Sequence, residues 1–127
     1  MSPALAVLLA LAGGVGAACR FWLDGEIRRR WRTVLPVATI AINVSGSLLI
    51  GLIAGAHLYL GLGSGWQTVL ATGFCGGYTT FSTAAVETVR LAEERERVRA
   101  VLNALGTVVL TVAAAAAGLG LMALIGN

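Results

Sequence analysis

Residues Gly73 to Thr83 read G-F-C-G-G-Y-T-T-F-S-T and hold the chain's densest set of groups able to act on a small solute. Gly76-Gly77 followed by Thr79-Thr80 should loosen a helix at that point, since glycine and β-branched residues both weaken helical geometry. The stretch lies in a hydrophobic segment long enough to cross a bilayer. Opened backbone at that depth survives only when it is buried in protein, lines a watery cavity or holds an ion. The pattern therefore predicts a transport site. Unwound carbonyl oxygens could coordinate a cation such as Na+, more easily enclosed between two copies than within one chain. The other intramembrane polar groups are hydrogen-bond donors: the Asn43 amide and the hydroxyls of Ser47, Ser82, Thr83, Thr107 and Thr111. None of the central positions is acidic. Cation pathways usually display carboxylates, whereas amide and hydroxyl donors beside an aromatic edge such as that of Phe81 suit a small anion. Arg20, at a span end, could draw anions toward a mouth or snorkel to lipid headgroups.

These residues do not predict an enzyme. There is no serine–histidine–acid set, no pair of carboxylates within a span and no phosphate loop after a strand. His57 is the only histidine, and Cys19 and Cys75 are embedded in apolar sequence, so no spacing resembles a metal site. The two thiols read as small packing residues.

The elements that must position the donors are helical and apolar. The chain is 57% hydrophobic and 12% charged, about half the charged fraction of a soluble domain. One all-α membrane domain over residues 1–127 is expected. Its spans fall at about 3–22, 36–60, 66–91 and 100–125, with the third broken mid-membrane. Ala10, Gly14 and Ala18, and again Gly51 and Gly55, form small-residue faces for close packing. Asn43 and Ser47 share a helix face, and Asn103, Thr107 and Thr111 form one polar stripe. Residues 24–33 are a charged connector, either surface helix or polar loop. Glu87 should reach toward headgroups beyond the break.

All nine basic residues are arginines. Residues 20, 28, 29, 30 and 32 fall by one connector, and 90, 95, 97 and 99 by the other. The positive-inside rule places both connectors in the cytoplasm and both termini outside. Arginines beside apolar spans are membrane topology, not a phosphate-tracking face, so nucleic acid is not an expected partner.

The sequence resembles the Fluc (CrcB-type) fluoride channel family over essentially its full length. The resemblance rests on G-A-x-x-R-F at 16 to 21, I-N-V-S-G-S at 42 to 47, and G-x-C-G-G-x-T-T-F-S-T at 73 to 83 with Glu87 after it. It implies a passive exporter in the plasma membrane that lowers cytoplasmic fluoride. It implies two four-helix subunits packed antiparallel, with two fluoride pathways. A structural Na+ that is not transported would sit at the centre, held by backbone carbonyls of Gly76 and Thr79 from each subunit. Phe81 would be the first pore phenylalanine and Asn43 the second-span donor. Ser82, Thr83, Thr107 and Thr111 would form the polar track, and Arg20 would lie near a vestibule.

The family pattern continues T-T-F-S-T-F, but this chain has Ala84. A methyl group supplies no polarised ring edge. Nine arginines on one side also favour a fixed orientation over equal insertion both ways. The expected assembly is thus either a homodimer or a heterodimer with an oppositely oriented homologue that supplies the missing ring. In the second case this chain could be a pore-deficient partner subunit. A small proton-coupled multidrug exporter is the remaining alternative. It needs an intramembrane carboxylate, which the first span lacks.

Overall fold

Three helices are long and apolar enough to cross a membrane: α1 (Pro3–Arg30), α2 (Val37–Tyr59) and α6 (Arg97–Gly126). Between α2 and α6 the computed structural model, which describes residues 1–127, divides the chain into shorter pieces. These are α3 (Ser64–Gln67), a π-helical segment (Thr68–Cys75), α4 (Gly76–Tyr78) and α5 (Phe81–Glu93). The fold is all-helical.

Local chemistry sets the helix ends. Ser2 caps α1, its Oγ accepting from the Leu5 N–H at 3.1 Å, with Pro3 in the first turn. At its other end α1 continues to Arg30, well past Trp22, so most of the first charged connector is helix. Asp24 pairs with Arg28 at 2.9 Å, and Glu26 with Arg29 at 2.6 Å and Arg30 at 3.7 Å, all at helical spacing. Arg28, Arg29 and Arg30 also complement the negative end of the helix dipole. Pro36 stands at the start of α2.

The helices associate by backbone approach. A Cβ added to Gly51 of α2 would strike the Ala115 carbonyl of α6, and one on Gly118 would lie 2.5 Å from the Leu48 carbonyl. Gly55 faces Met122 and Gly126 faces Tyr59, so residue numbers rise together and α2 runs parallel to α6. In the same way Gly65 faces Leu5, Gly73 faces Leu9 and Ala12, and Gly77 meets the Gly13 carbonyl. Residues 64–78 therefore run parallel to α1. The Gly51/Gly55 face packs as its spacing predicts. The Ala10/Gly14/Ala18 face does not: all three are exposed, and nothing lies within 4 Å of a Cβ added to Gly14. The neighbouring stripe Ala12, Gly13 and Gly16 is packed instead, because it brings α1 against the π-helical segment and α4.

This arrangement collects Arg28, Thr39 and Glu87 at one end of the bundle and Leu5, Gly65, Tyr59 and Gly126 at the other. Every ion pair lies at the first end.

Valine at Gly51 or Gly118 must push backbone apart, and each substitution should cost about 3 kcal/mol or more, the upper range for overpacking. Gly14→Ala has space and should be neutral or stabilise by up to about 1 kcal/mol through helix propensity. Thermal unfolding in detergent, followed by circular dichroism, distinguishes them. Equal shifts for all three would contradict the packing described.

Candidate functional site

Helical geometry stops at Thr79 and Thr80, whose backbones are extended (φ −83°, ψ 160° and φ −145°, ψ 119°). The Thr79 hydroxyl and N–H both donate to the Cys75 carbonyl, at 2.8 and 2.9 Å, and close α4. The Thr80 hydroxyl accepts from the Thr83 N–H at 3.2 Å and caps α5. Gly46 of α2 makes room for this turn, since a Cβ there would strike the Thr79 methyl and lie 3.1 Å from the Tyr78 ring. The Tyr78 hydroxyl is hydrogen-bonded to Ser45 at 2.8 Å.

Asn43 holds the extended pair from α2. It is 7% exposed. Its Nδ2 donates to the Thr80 carbonyl at 2.8 Å, and its Oδ1 accepts from the Thr80 N–H at 2.8 Å. Both backbone groups of Thr80 are thus satisfied by one side chain, and only one amide orientation does so.

The same bonds redirect two donors. In a continuous helix the Thr80 N–H would serve the Gly76 carbonyl, and the Thr83 N–H the Thr79 carbonyl. Here they go to Asn43 and to the Thr80 hydroxyl. The carbonyls of residues 76 to 79 therefore all lose their α-helical donors, whereas the Thr80 carbonyl is taken by Asn43. Carbonyl oxygens freed in this way are chemically suited to a hard cation. Gly76 itself is exposed, with nothing within 4 Å of an added Cβ.

Two cavities flank the turn, and Thr80 lines both. One is a groove of about 540 Å³ between α2, α5 and α6, lined by Asn43, Ser47, Phe81, Ala84, Thr107 and Thr111 among others, none of them charged. Phe81 stands at its rim, 88% exposed. The other is a cleft of about 140 Å³ lined by Arg20, Asp24, Thr39, Thr80 and Thr83. The expected polar residues are thus divided. Asn43, Phe81, Thr107 and Thr111 face the groove, Arg20 and Thr83 face the cleft, and the exposed Ser82 lines neither. The Thr111 hydroxyl donates to the Thr107 carbonyl at 2.7 Å. The Thr107 hydroxyl oxygen and the Arg20 Nε are buried without a partner.

Sequence reasoning missed two clusters. Glu87 is engaged within the protein. Its carboxylate accepts from the Thr39 hydroxyl at 2.5 Å and from Arg28 Nη2 at 3.2 Å, and Arg28 Nε also binds Asp24 at 2.9 Å. Thr39 is 2% exposed. This cluster ties α1, α2 and α5 together beside the cleft. Its members lie 48 and 59 positions apart, so no local pattern could have joined them. In the second cluster Asn103 Nδ2 donates to the Thr88 hydroxyl at 2.7 Å, which donates to the Ala84 carbonyl at 2.9 Å. Asn103 Oδ1 is buried without a partner. Its i, i+4 spacing to Thr107 was the available signal.

Asn43→Leu removes both bonds to Thr80 and leaves a half-buried N–H and C=O unpaired, at a cost of about 1–3 kcal/mol. Asn43→Asp keeps an acceptor for the N–H but turns a second oxygen toward the Thr80 carbonyl, so it should not restore the loss at neutral pH. Hydrogen exchange at the Thr80 amide should speed markedly in both variants. Unchanged protection would show that the turn is held by something else.

Among known proteins, a family profile described as "CrcB-like protein, Camphor Resistance (CrcB)" matches residues 7–119. The "Fluoride-specific ion channel FluC 1" of Leifsonia xyli subsp. xyli is 46% identical over 121 residues, covering 95% of this chain and 88% of that protein. The "Fluoride-specific ion channel FluC 2" of Cutibacterium acnes is 49% identical over 112 residues, covering 87% and 91%. A protein of the same printed name from Mycobacterium tuberculosis H37Rv is 39% identical over 118 residues, covering 93% and 90%. The match spans the donor helix, the extended turn and the polar stripe alike, and the chain belongs to the CrcB-like family.

Proposed function

We propose that the chain is a subunit of a fluoride channel, not an enzyme, and lets fluoride leave the cytoplasm passively across the cell membrane. The observation that carries this reading is the extended Thr79–Thr80 turn beside a groove of polar, uncharged groups. An anion crossing apolar surroundings needs hydrogen-bond donors in place of water. The groove has no carboxylate and holds the unpartnered Thr107 hydroxyl, and the buried Arg20 Nε is a donor without an acceptor. The relatives' printed names supply the choice of fluoride over other small anions. A proton-coupled drug exporter fits less well, because Glu87 is bound by Arg28 and Thr39 rather than open to a cationic substrate.

In this reading residues 64–93 form a third crossing from two halves, giving four crossings with both termini outside. Two such chains pack antiparallel. Gly76 and Thr79 of each would hold a structural Na+, which supplies positive charge at the centre and is not transported. With two carbonyls per chain, neither copy encloses the ion alone. Phe81, Thr83, Thr107 and Thr111 are the groups proposed to meet fluoride, and Arg20 to gather it at the mouth.

Ala84 favours a second form of the same reading. It lines the groove beside Ala85 and Ala104, so that part of the wall carries only methyl groups. A related, oppositely oriented chain would then supply the aromatic edge.

Fluoride-electrode recordings from proteoliposomes test these points. Efflux should be slow for the chain alone and fast when it is reconstituted with such a partner, and Ala84→Phe should raise the flux of the lone chain. No efflux under any pairing would overturn the channel reading, and brisk efflux from the lone chain would remove the need for a partner. Replacing Na+ with N-methylglucamine should lower the melting temperature of the assembled protein. An unchanged melt would remove the cation from the scheme.

A further inference from the structure

Not all arginines at the connector end are neutralised. Arg28 faces Asp24 and Glu87, Arg29 and Arg30 share Glu26, and Arg99 faces Glu96. Arg32 and Arg90 form no ion pair, yet both line one cleft of about 330 Å³ between the end of α1, the connector after it, and α5. Glu87 and Glu94 also line this cleft. Glu87 shares Arg28 with Asp24, which leaves two unpaired guanidiniums beside the single carboxylate of Glu94. Trp31, Val34, Leu35 and Leu91 also line it, beside Arg28 and Thr33. Trp31 is exposed, as is Trp22 one helical stretch away, and indole rings favour the bilayer interface.

We propose that this cleft holds the headgroup phosphate of an anionic phospholipid. Arg32 and Arg90 are the phosphate ligands, since each guanidinium presents paired N–H groups that match phosphate oxygens. Basic pockets between transmembrane helices on the cytoplasmic side take anionic headgroups in this manner. The exposed Trp31 in the same cleft argues for a lipid over free phosphate, since an indole marks the headgroup level of a bilayer. Glu94 repels a phosphate and limits the affinity. The site is separate from the groove and cleft at the extended turn, with which it shares no lining residue.

Native mass spectrometry of the full chain in detergent micelles tests this with phosphatidylglycerol, phosphatidylcholine and inorganic phosphate as probes. Phosphatidylglycerol should remain bound after activation and phosphatidylcholine should not. Arg32→Gln and Arg90→Gln should each weaken retention about fivefold, and Glu94→Gln should strengthen it. All three side chains are at the surface, and matching circular dichroism melts establish that the variants are folded. Equal retention of the two lipids, parent-like retention by the double arginine variant, or displacement of lipid by inorganic phosphate would each overturn the proposal. Because the readout involves no fluoride, it stands or falls independently of the channel assignment.

Discussion

The two hydrogen bonds between the Asn43 amide and the backbone of Thr80 are the constraint from which the site follows. A helix interrupted among apolar neighbours must give its freed N–H and C=O groups new partners or lose several kcal/mol. Asn43 gives Thr80 both. By taking one donor it strips the Gly76 carbonyl of its usual partner, and with Thr80 pinned its hydroxyl caps the next helix and strips Thr79 in turn. The freed carbonyls of residues 76 to 79, with a cavity on either face of the turn, thus follow from an extended pair held by one side chain on a neighbouring helix. The turn is not a soft spot in the third segment. It is a specified structure whose hydrogen bonds have been reassigned.

Much of this was legible in the sequence, though unevenly. Gly76-Gly77-x-Thr79-Thr80 announced the interruption because those residues weaken a helix through their own backbone and side-chain stereochemistry. Asn43 announced itself only as a polar residue in a span, since its partner lies 37 positions away. The motif read as a block of adjacent pore residues separates in space, because successive helical residues point roughly 100° apart. Phe81 therefore meets the groove and Thr83 the cleft, while Ser82 meets neither. Spacing found the packed face of α2 but selected the wrong stripe on α1. Two small-residue stripes exist there, and only the partner helix decides between them.

Charge follows a similar logic. The helical continuation of α1 was readable in principle from Asp24, Glu26 and the three arginines that follow them at i+3 and i+4. The link from Arg28 to Glu87 was not, because it depends on three helices meeting at one end. Glu87 is the only carboxylate of α5 bound to residues of other helices, and its side chain is 12% exposed. Its charge is compensated by a guanidinium and a hydroxyl, so it does not confront an anion with a bare negative group.

The glycine contacts at Gly51, Gly118, Gly16 and Gly77 place main chain directly on main chain. Seams of this kind contain few rotamers to rearrange, and sliding either helix by one residue would drive a carbonyl into a Cβ. They act as fixed joints, not bearings. A bundle joined in this way is poorly suited to rocking between inward-facing and outward-facing shapes, and well suited to remaining still while a solute moves down its own gradient.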